Sequence, residues 1–233
     1  MERYSARIED VRVEYELGAE LKTAAGTLTA KVEGIAARSI VFNVRFGGRP
    51  VFDATTEIDE YGTAKAQFLV NEPKLWYPHG YGEQCLYEVT ATLKADHGDL
   101  HSVTRKIGFR KAELVQEPDE IGKSFYFRVN GVDVFCGGSD WIPADSFTPR
   151  ITVERYRKWL EMMIHGNQVM VRYGGLWLRE IRPFTTVTYC SIGFGVAEFG
   201  KKTHSTISAT NSVSWSGKTS CLGVGITLPF LIS

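Results

Sequence analysis

Cysteine is scarce and poorly placed for pairing. The 233 residues hold four, Cys85, Cys136, Cys190 and Cys221, and no two stand in a CxxC pair. This argues against zinc and thioredoxin-type motifs, and a large, cysteine-poor chain suits a reducing, cytoplasmic setting. Net charge is also absent: 27 Lys+Arg balance 27 Asp+Glu. That speaks against nucleic acid or an anionic membrane as the main partner. No apolar run approaches the roughly 20 residues of a membrane span, and MERYSARIED lacks the apolar centre of a signal peptide. His97 and His101 lie four apart across a DHGD turn rather than on a helix, so no metal is expected. No phosphate-binding glycine loop and no interpretable Ser/His/Asp order occur, and no cofactor is expected.

What is present first is β structure. Tyr4, Ala6 and Ile8, then Val11, Val13 and Tyr15, alternate with polar residues, and the phase changes between the two triplets. A bulge or bend there is expected. Short strands follow at Gly26–Val32, Ser39–Phe46, Val51–Ile58, Ala64–Val70, Leu86–Leu93 and Val103–Phe109. Gly47-Gly48, Tyr61-Gly62 and the Asp96 to Asp99 stretch punctuate them as turns. Such spacing describes an immunoglobulin-like β-sandwich without the Cys-Trp-Cys framework, over residues 1–112. Within it Pro73 to Gly82 is dense in aromatics, proline and glycine. Its Trp76 and Tyr77 are expected to plug the end of the sandwich; the alternative is a contact surface for a neighbouring domain or a sugar.

Residues 113–172 change character. Glu113, Glu117, Asp119 and Glu120 surround Pro118 and read as a solvated turn rather than paired catalytic acids. Phe125, Phe127 and Val129 alternate into Asn130-Gly131, a strong type I′ hairpin signal, and Val132, Val134 and Cys136 return from it. The loop Gly137 to Ser146 follows. Thr152 then caps a helix whose Val153, Tyr156, Leu160 and Met163 share one face, with Gly166 as its C-cap. Gln168 to Arg172 reads as the next strand. Strand, loop, helix and strand form a βαβ unit with parallel strands, whose carboxyl ends are where ligands collect. Trp141 and Asp145 in the loop, with Asp140 a weaker case, and Arg172 at the strand end, are therefore the candidate substrate-binding residues. The bland alternatives are that Trp141 packs, Asp145 braces the loop and Arg172 forms a structural ion pair.

From Tyr173 the texture shifts again. Residues 173–233 hold sixteen Ser+Thr, seven charged residues and no Asp. An irregular, disordered, low-complexity tail is expected.

LWYPHGYGEQCLYEV, IGFRKAELVQEP, FYFRVNGVDVFCGGSDWIPADSFTPRIT and GNQVMVR together resemble the β-mannosidases of glycoside hydrolase family 2, most closely the fungal intracellular type. The resemblance spans about Met1 to Arg172. It implies a sugar-binding jelly roll before the sandwich and a (β/α)8 barrel after it, of which residues 113–172 would be the first βαβ. It implies retaining hydrolysis of terminal β-mannose by two glutamates on later barrel strands, with a β-mannoside glycan as partner. Neither family position is reached here, so no catalytic residue is assigned and the chain is expected to be an inactive fragment. Ala197-Glu198-Phe199-Gly200 resembles the nucleophile's surroundings but comes too soon, with unmatched flanks. The family continues as Arg-Val-Trp-Gly-Gly where this chain reads Arg172-Tyr173-Gly174-Gly175. One base lost from the arginine codon would produce that change, so the tail is expected to be out-of-frame translation. The competing function is a non-catalytic β-sandwich module that binds carbohydrate or a partner through the Trp76-Tyr77 loop.

Overall fold

The computed structural model describes residues 5–34, 38–96, 98–141, 145, 147, 150–174 and 194–198. Seven strands come first: β1 (Ala6–Leu17), β2 (Thr23–Gly34), β3 (Ser39–Phe46), β4 (Arg49–Glu57), β5 (Thr63–Asn71), β6 (Tyr87–Ala95) and β7 (Gly98–Ile107). They form two antiparallel sheets, ordered β1-β2-β5 and β4-β3-β6-β7. This is the partition of an immunoglobulin-like sandwich. Alternation produces the core: Ile8, Val13, Leu28, Ala30 and Phe68 from one sheet meet Ile40, Phe42, Val89 and Leu93 from the other.

The expected phase change in β1 is a register shift between Ile8 and Asp10. It lets Ala6 and Ile8, then Val11, Val13 and Tyr15, all face inward. Gly47 and Gly48 both take positive φ, 56° and 78°, in the turn between β3 and β4, as a type I′ hairpin demands. Two strands are longer than their side chains suggest, β2 at both ends and β7 at its start. β7 starts at Gly98 instead of Val103 because Asp99 pairs with Lys94 and His101 with Leu93. The backbone ladder extends the strand where no apolar pattern marks it.

A third sheet follows the two of the sandwich, in the order β10-β9-β8, from β8 (Ala112–Val115), β9 (Tyr126–Val129) and β10 (Val132–Val134). The Asn130-Gly131 turn joins β9 and β10 with φ of 51° and 83°. Ala112, Phe127, Val129 and Val134 make a small core, against which Tyr81, Val169 and Met170 pack. That core ties the sandwich loop, the hairpin and the next strand together.

The fourth sheet is parallel: β11 (Gly138–Trp141), β12 (Met170–Gly174) and β13 (Phe194–Glu198). Between β11 and β12 runs α1 (Val153–His165). The Thr152 side chain accepts from the Arg155 amide at its start, and Tyr156 and Leu160 are buried. Val153, expected on that buried face, is 42% exposed; it lies in the first turn, beyond what the helix covers. Gly166 caps the helix with φ of −85°, and Asn167 takes the left-handed turn, φ 54°, a conformation its short polar side chain tolerates.

Two expectations need correction. The sequence pattern puts Gly138–Trp141 in the loop, with the hairpin strand through Cys136 as the partner of the 168–172 strand. The parallel partner is Gly138–Trp141 itself, where the absence of a Cβ on Gly138 lets its backbone approach the Met170 carbonyl; the hairpin return Val132–Val134 pairs with β9. The irregular tail is also interrupted. Phe194–Glu198 forms β13 alongside β12, where uncharged Phe-Gly-Val-Ala can join an open parallel edge. The remainder, 175–193 and 199–233, lies outside the described residues.

Candidate functional site

The carboxyl ends of β11, β12 and β13 make one edge. Gly138 stands opposite Met170, Ser139 opposite Val171, Asp140 opposite Arg172 and Trp141 opposite Tyr173. The approach at the start of this pair is close. A Cβ built on Gly138 would lie 1.8 Å from the Met170 carbonyl oxygen, so only glycine lets the strands meet here. Gly137 adds carbonyl contacts, accepting from the Val169 amide at 2.8 Å and the Met170 amide at 3.2 Å. Ser139 Oγ donates to Gln168 Oε1 at 2.9 Å, so this hydroxyl is committed to holding the crossover.

The candidate residues fall at that edge. Trp141 is the last residue of β11, and Arg172 is the register partner of Asp140. Asp145 follows the strand and is engaged locally: Oδ1 accepts from the Phe147 amide at 2.8 Å, and Oδ2 lies 3.9 Å from the Arg155 guanidinium on α1. The first contact is an Asx-type turn; the second is a long, partly solvated ion pair of small energetic value. Residues 142–144, 146 and 148–149 of the loop lie outside the described residues. Glu198 ends β13, in register with Gly174, so its backbone sits at the same carboxyl edge.

Of the acidic group before the hairpin, Glu113 lies in β8, opposite Arg128, and the other three surround a turn. Asp119 Oδ1 accepts from the amides of Ile121 and Gly122 at 3.0 and 2.6 Å, and Glu113 pairs with Lys111 at 2.8 Å. Glu117, Asp119 and Glu120 are exposed. These carboxylates shape a solvated connection.

A second constellation surrounds Trp76, which is buried as expected of a plug at the end of the sandwich; its partners were not foreseen. Trp76 and Arg110 are 0% and 1% exposed, and the Arg110 guanidinium lies over the Trp76 ring at 4.3 Å. Tyr15 closes one side: its hydroxyl donates to the Gly108 carbonyl at 2.9 Å and accepts from the Arg110 amide at 3.1 Å. Burial pushes the Tyr15 phenol above its ordinary range, with nearby Arg110 opposing. Asn130 closes the other side. Its Nδ2 donates to the Trp76 carbonyl at 3.0 Å, and its Oδ1 accepts from the Lys111 amide at 2.8 Å. Tyr81 adds a further link, its hydroxyl accepting from the Phe135 amide at 2.8 Å. The Pro73 to Gly82 loop is thus the bolt between the sandwich and the hairpin sheet. Buried Trp76 offers no face to a sugar. The usable signal was the combination of Gly108-Phe109-Arg110 with an aromatic loop, a cation beside a tryptophan; the Asn130 contact spans 54 residues and leaves no local trace. Cys136 borders this region, its thiol pushed up to about 11 by burial.

Comparison with known proteins places this geometry. Residues 6–110 match the family Glycosyl hydrolases family 2. The chain is 49% identical over 186 residues to Beta-mannosidase B of Neosartorya fischeri, covering 79% of this chain and 22% of that protein. It is 48% identical over 186 residues to Beta-mannosidase B of Aspergillus fumigatus, with the same shares. It thus spans about a fifth of the length of these relatives. Among solved structures, Beta-D-Mannosidase from Dictyoglomus thermophilum superposes with a TM-score of 0.75 at 30% identity, over 84% of this chain and 25% of that one. A Bifidobacterium dentium beta-glucuronidase superposes at 0.65 with 15% identity, over 83% of this chain and 31% of that one. At that identity the likeness is one of fold.

Proposed function

We propose, from the glycosyl hydrolases family 2 match of residues 6–110, that this chain is the sandwich and first barrel unit of a β-mannosidase-like glycoside hydrolase. The activity is retaining hydrolysis of terminal, non-reducing β-D-mannose residues, and the partner is a β-mannoside oligosaccharide or glycan. The observation that carries the proposal is the 49% identity to Beta-mannosidase B across 186 residues, more than the 112 residues of the sandwich can supply. The division at residue 112 and the cytoplasmic setting belong to the same proposal.

In this reading the parallel edge is a binding rim. Trp141 supplies an aromatic surface for a sugar ring, Arg172 orders the rim through carboxylates, and Asp145 accepts from sugar hydroxyls after exchanging its local contacts. Retention needs two carboxyl groups about 5 Å apart on opposite sides of the anomeric carbon. The family places both on later barrel strands, so the role proposed for residues 113–172 is binding rather than bond cleavage. A chromogenic β-mannoside tests this: the purified chain is expected to release no chromophore. Release that Glu198→Gln abolishes would overturn the proposal and place a catalytic carboxylate on β13.

The competing module reading needs Trp76 and Tyr77 as a sugar platform. The burial of Trp76 beneath Arg110 weighs against it.

A further inference from the structure

We propose that Asn130 is a chemical latch between the sandwich and the hairpin sheet, and that Asn130-Gly131 is a deamidation site which the closed latch holds back. Three hydrogen bonds make the latch. Asn130 Nδ2 donates to the Trp76 carbonyl at 3.0 Å, Oδ1 accepts from the Lys111 amide at 2.8 Å, and the Asn130 amide donates to the Lys111 carbonyl at 2.8 Å. The side chain therefore joins the bolt loop, the end of the sandwich connection and the hairpin turn at one point. Its orientation is fixed by chemistry. A reversed amide would set oxygen against the Trp76 carbonyl and NH2 against the Lys111 N–H.

The same dipeptide is chemically labile. The Gly131 backbone nitrogen can attack Asn130 Cγ, where glycine offers no side chain to hinder the approach. A new N–Cγ bond forms, the Cγ–Nδ2 bond breaks, and ammonia leaves with the proton given up by Gly131. Water then opens the cyclic imide at either carbonyl, leaving aspartate or its β-linked isomer. In the closed latch neither end of the amide is available. Nδ2 is held by Trp76 and Oδ1 by Lys111, the residue is 8% exposed, and the turn is fixed at φ of 51° and 83°. Reaction thus needs local opening of the junction.

Once formed, the product cannot close the latch. A carboxylate has no donor for the Trp76 carbonyl and would bring two oxygens together in a buried position. The β-linked isomer also lengthens a two-residue turn whose geometry sets the β9–β10 register. The junction therefore converts a reversible opening into a permanent one, and Asn130 records how often the two parts have separated.

The test begins with the unaltered chain, held at mildly alkaline pH in buffer and in urea and followed by peptide mass mapping. Deamidation at Asn130 is expected to run more than about ten-fold slower in buffer than in urea; equal rates would refute the latch. N130D provides the second measurement. At neutral pH it is expected to be cut by trypsin at Lys123 and Arg128 faster than the parent. Below about pH 4 the substituted carboxyl becomes protonated and regains a donor. Its unfolding midpoint should then move back toward the parent's. Parent-like trypsin resistance at neutral pH, or a midpoint gap that does not narrow in acid, would overturn the proposal.

Discussion

Replacing Trp76 with alanine tests whether the aromatic loop is a bolt or a platform. The ring is fully buried beneath the Arg110 guanidinium at 4.3 Å. A buried Trp→Ala change costs about 3–5 kcal/mol in lost transfer and cavity terms. A desolvated cation–π contact adds about 2 kcal/mol, and Arg110 would keep a buried charge beside the new void. Allowing for relaxation and non-additivity, Trp76→Ala should lose roughly 4–6 kcal/mol, a large share of the 5–15 kcal/mol typical of a folded domain. Trp76→Phe keeps most of the volume and should lose roughly 1–2 kcal/mol. Both leave the Trp76 backbone amide and carbonyl in place for Phe109 and Asn130. Urea unfolding followed by far-ultraviolet circular dichroism measures the loss without relying on tryptophan emission. A loss below about 1 kcal/mol for Trp76→Ala, far beneath the range for a buried Trp→Ala change, would refute the argument. A platform would give the opposite pattern, with stability intact and glycan binding lost.

Two further outcomes follow from named contacts. Gly138→Ala would place a Cβ 1.8 Å from the Met170 oxygen and push β11 from β12. Amide exchange should accelerate at Val171 and its neighbours while β1–β7 keeps its protection; unchanged exchange at Val171 would show that the strands can shift to accept a methyl. Tyr15 governs an alkaline limit. Its folded pKa is raised, by burial first, with Arg110 opposing. The unfolded chain therefore gives up this proton first. The associated stability is complete below about pH 10, the ordinary phenol range, and is lost as pH rises through the higher folded value. Tyr87 is shifted the same way, also by burial first. Tyr15→Phe should therefore flatten, but not remove, the fall in unfolding midpoint above about pH 10; an unchanged slope would count against a buried Tyr15 hydroxyl.

Local pattern was enough for most of the scaffold. Alternation placed β3 at Ser39–Phe46 without error and located the bulge in β1, since inward and outward residues must alternate on a half-buried strand. Asn130-Gly131 disclosed its hairpin because few other dipeptides accept positive φ twice. Thr152 and the Tyr156–Leu160 spacing disclosed α1. The pairing of β11 was not legible. Gly-Gly-Ser-Asp reads as loop, and only the neighbouring backbone of Met170 explains why a glycine must stand there. Phe194–Glu198 was hidden similarly, because strand formation there depends on the open edge of β12.

The sequence by itself determined a β-sandwich, a hairpin and a βαβ unit, and it carried the resemblance to β-mannosidases. Those features rest on periodicity and turn chemistry, which act over a few residues. Only the tertiary structure decided which partners the aromatic loop takes and how the sandwich is joined to the hairpin sheet. The partners at that joint are Tyr15 with Arg110, 95 residues apart, and Trp76 with Asn130, 54 apart. Contacts of such separation leave no periodic trace in a chain, and they exist only once the two sheets have closed over their cores.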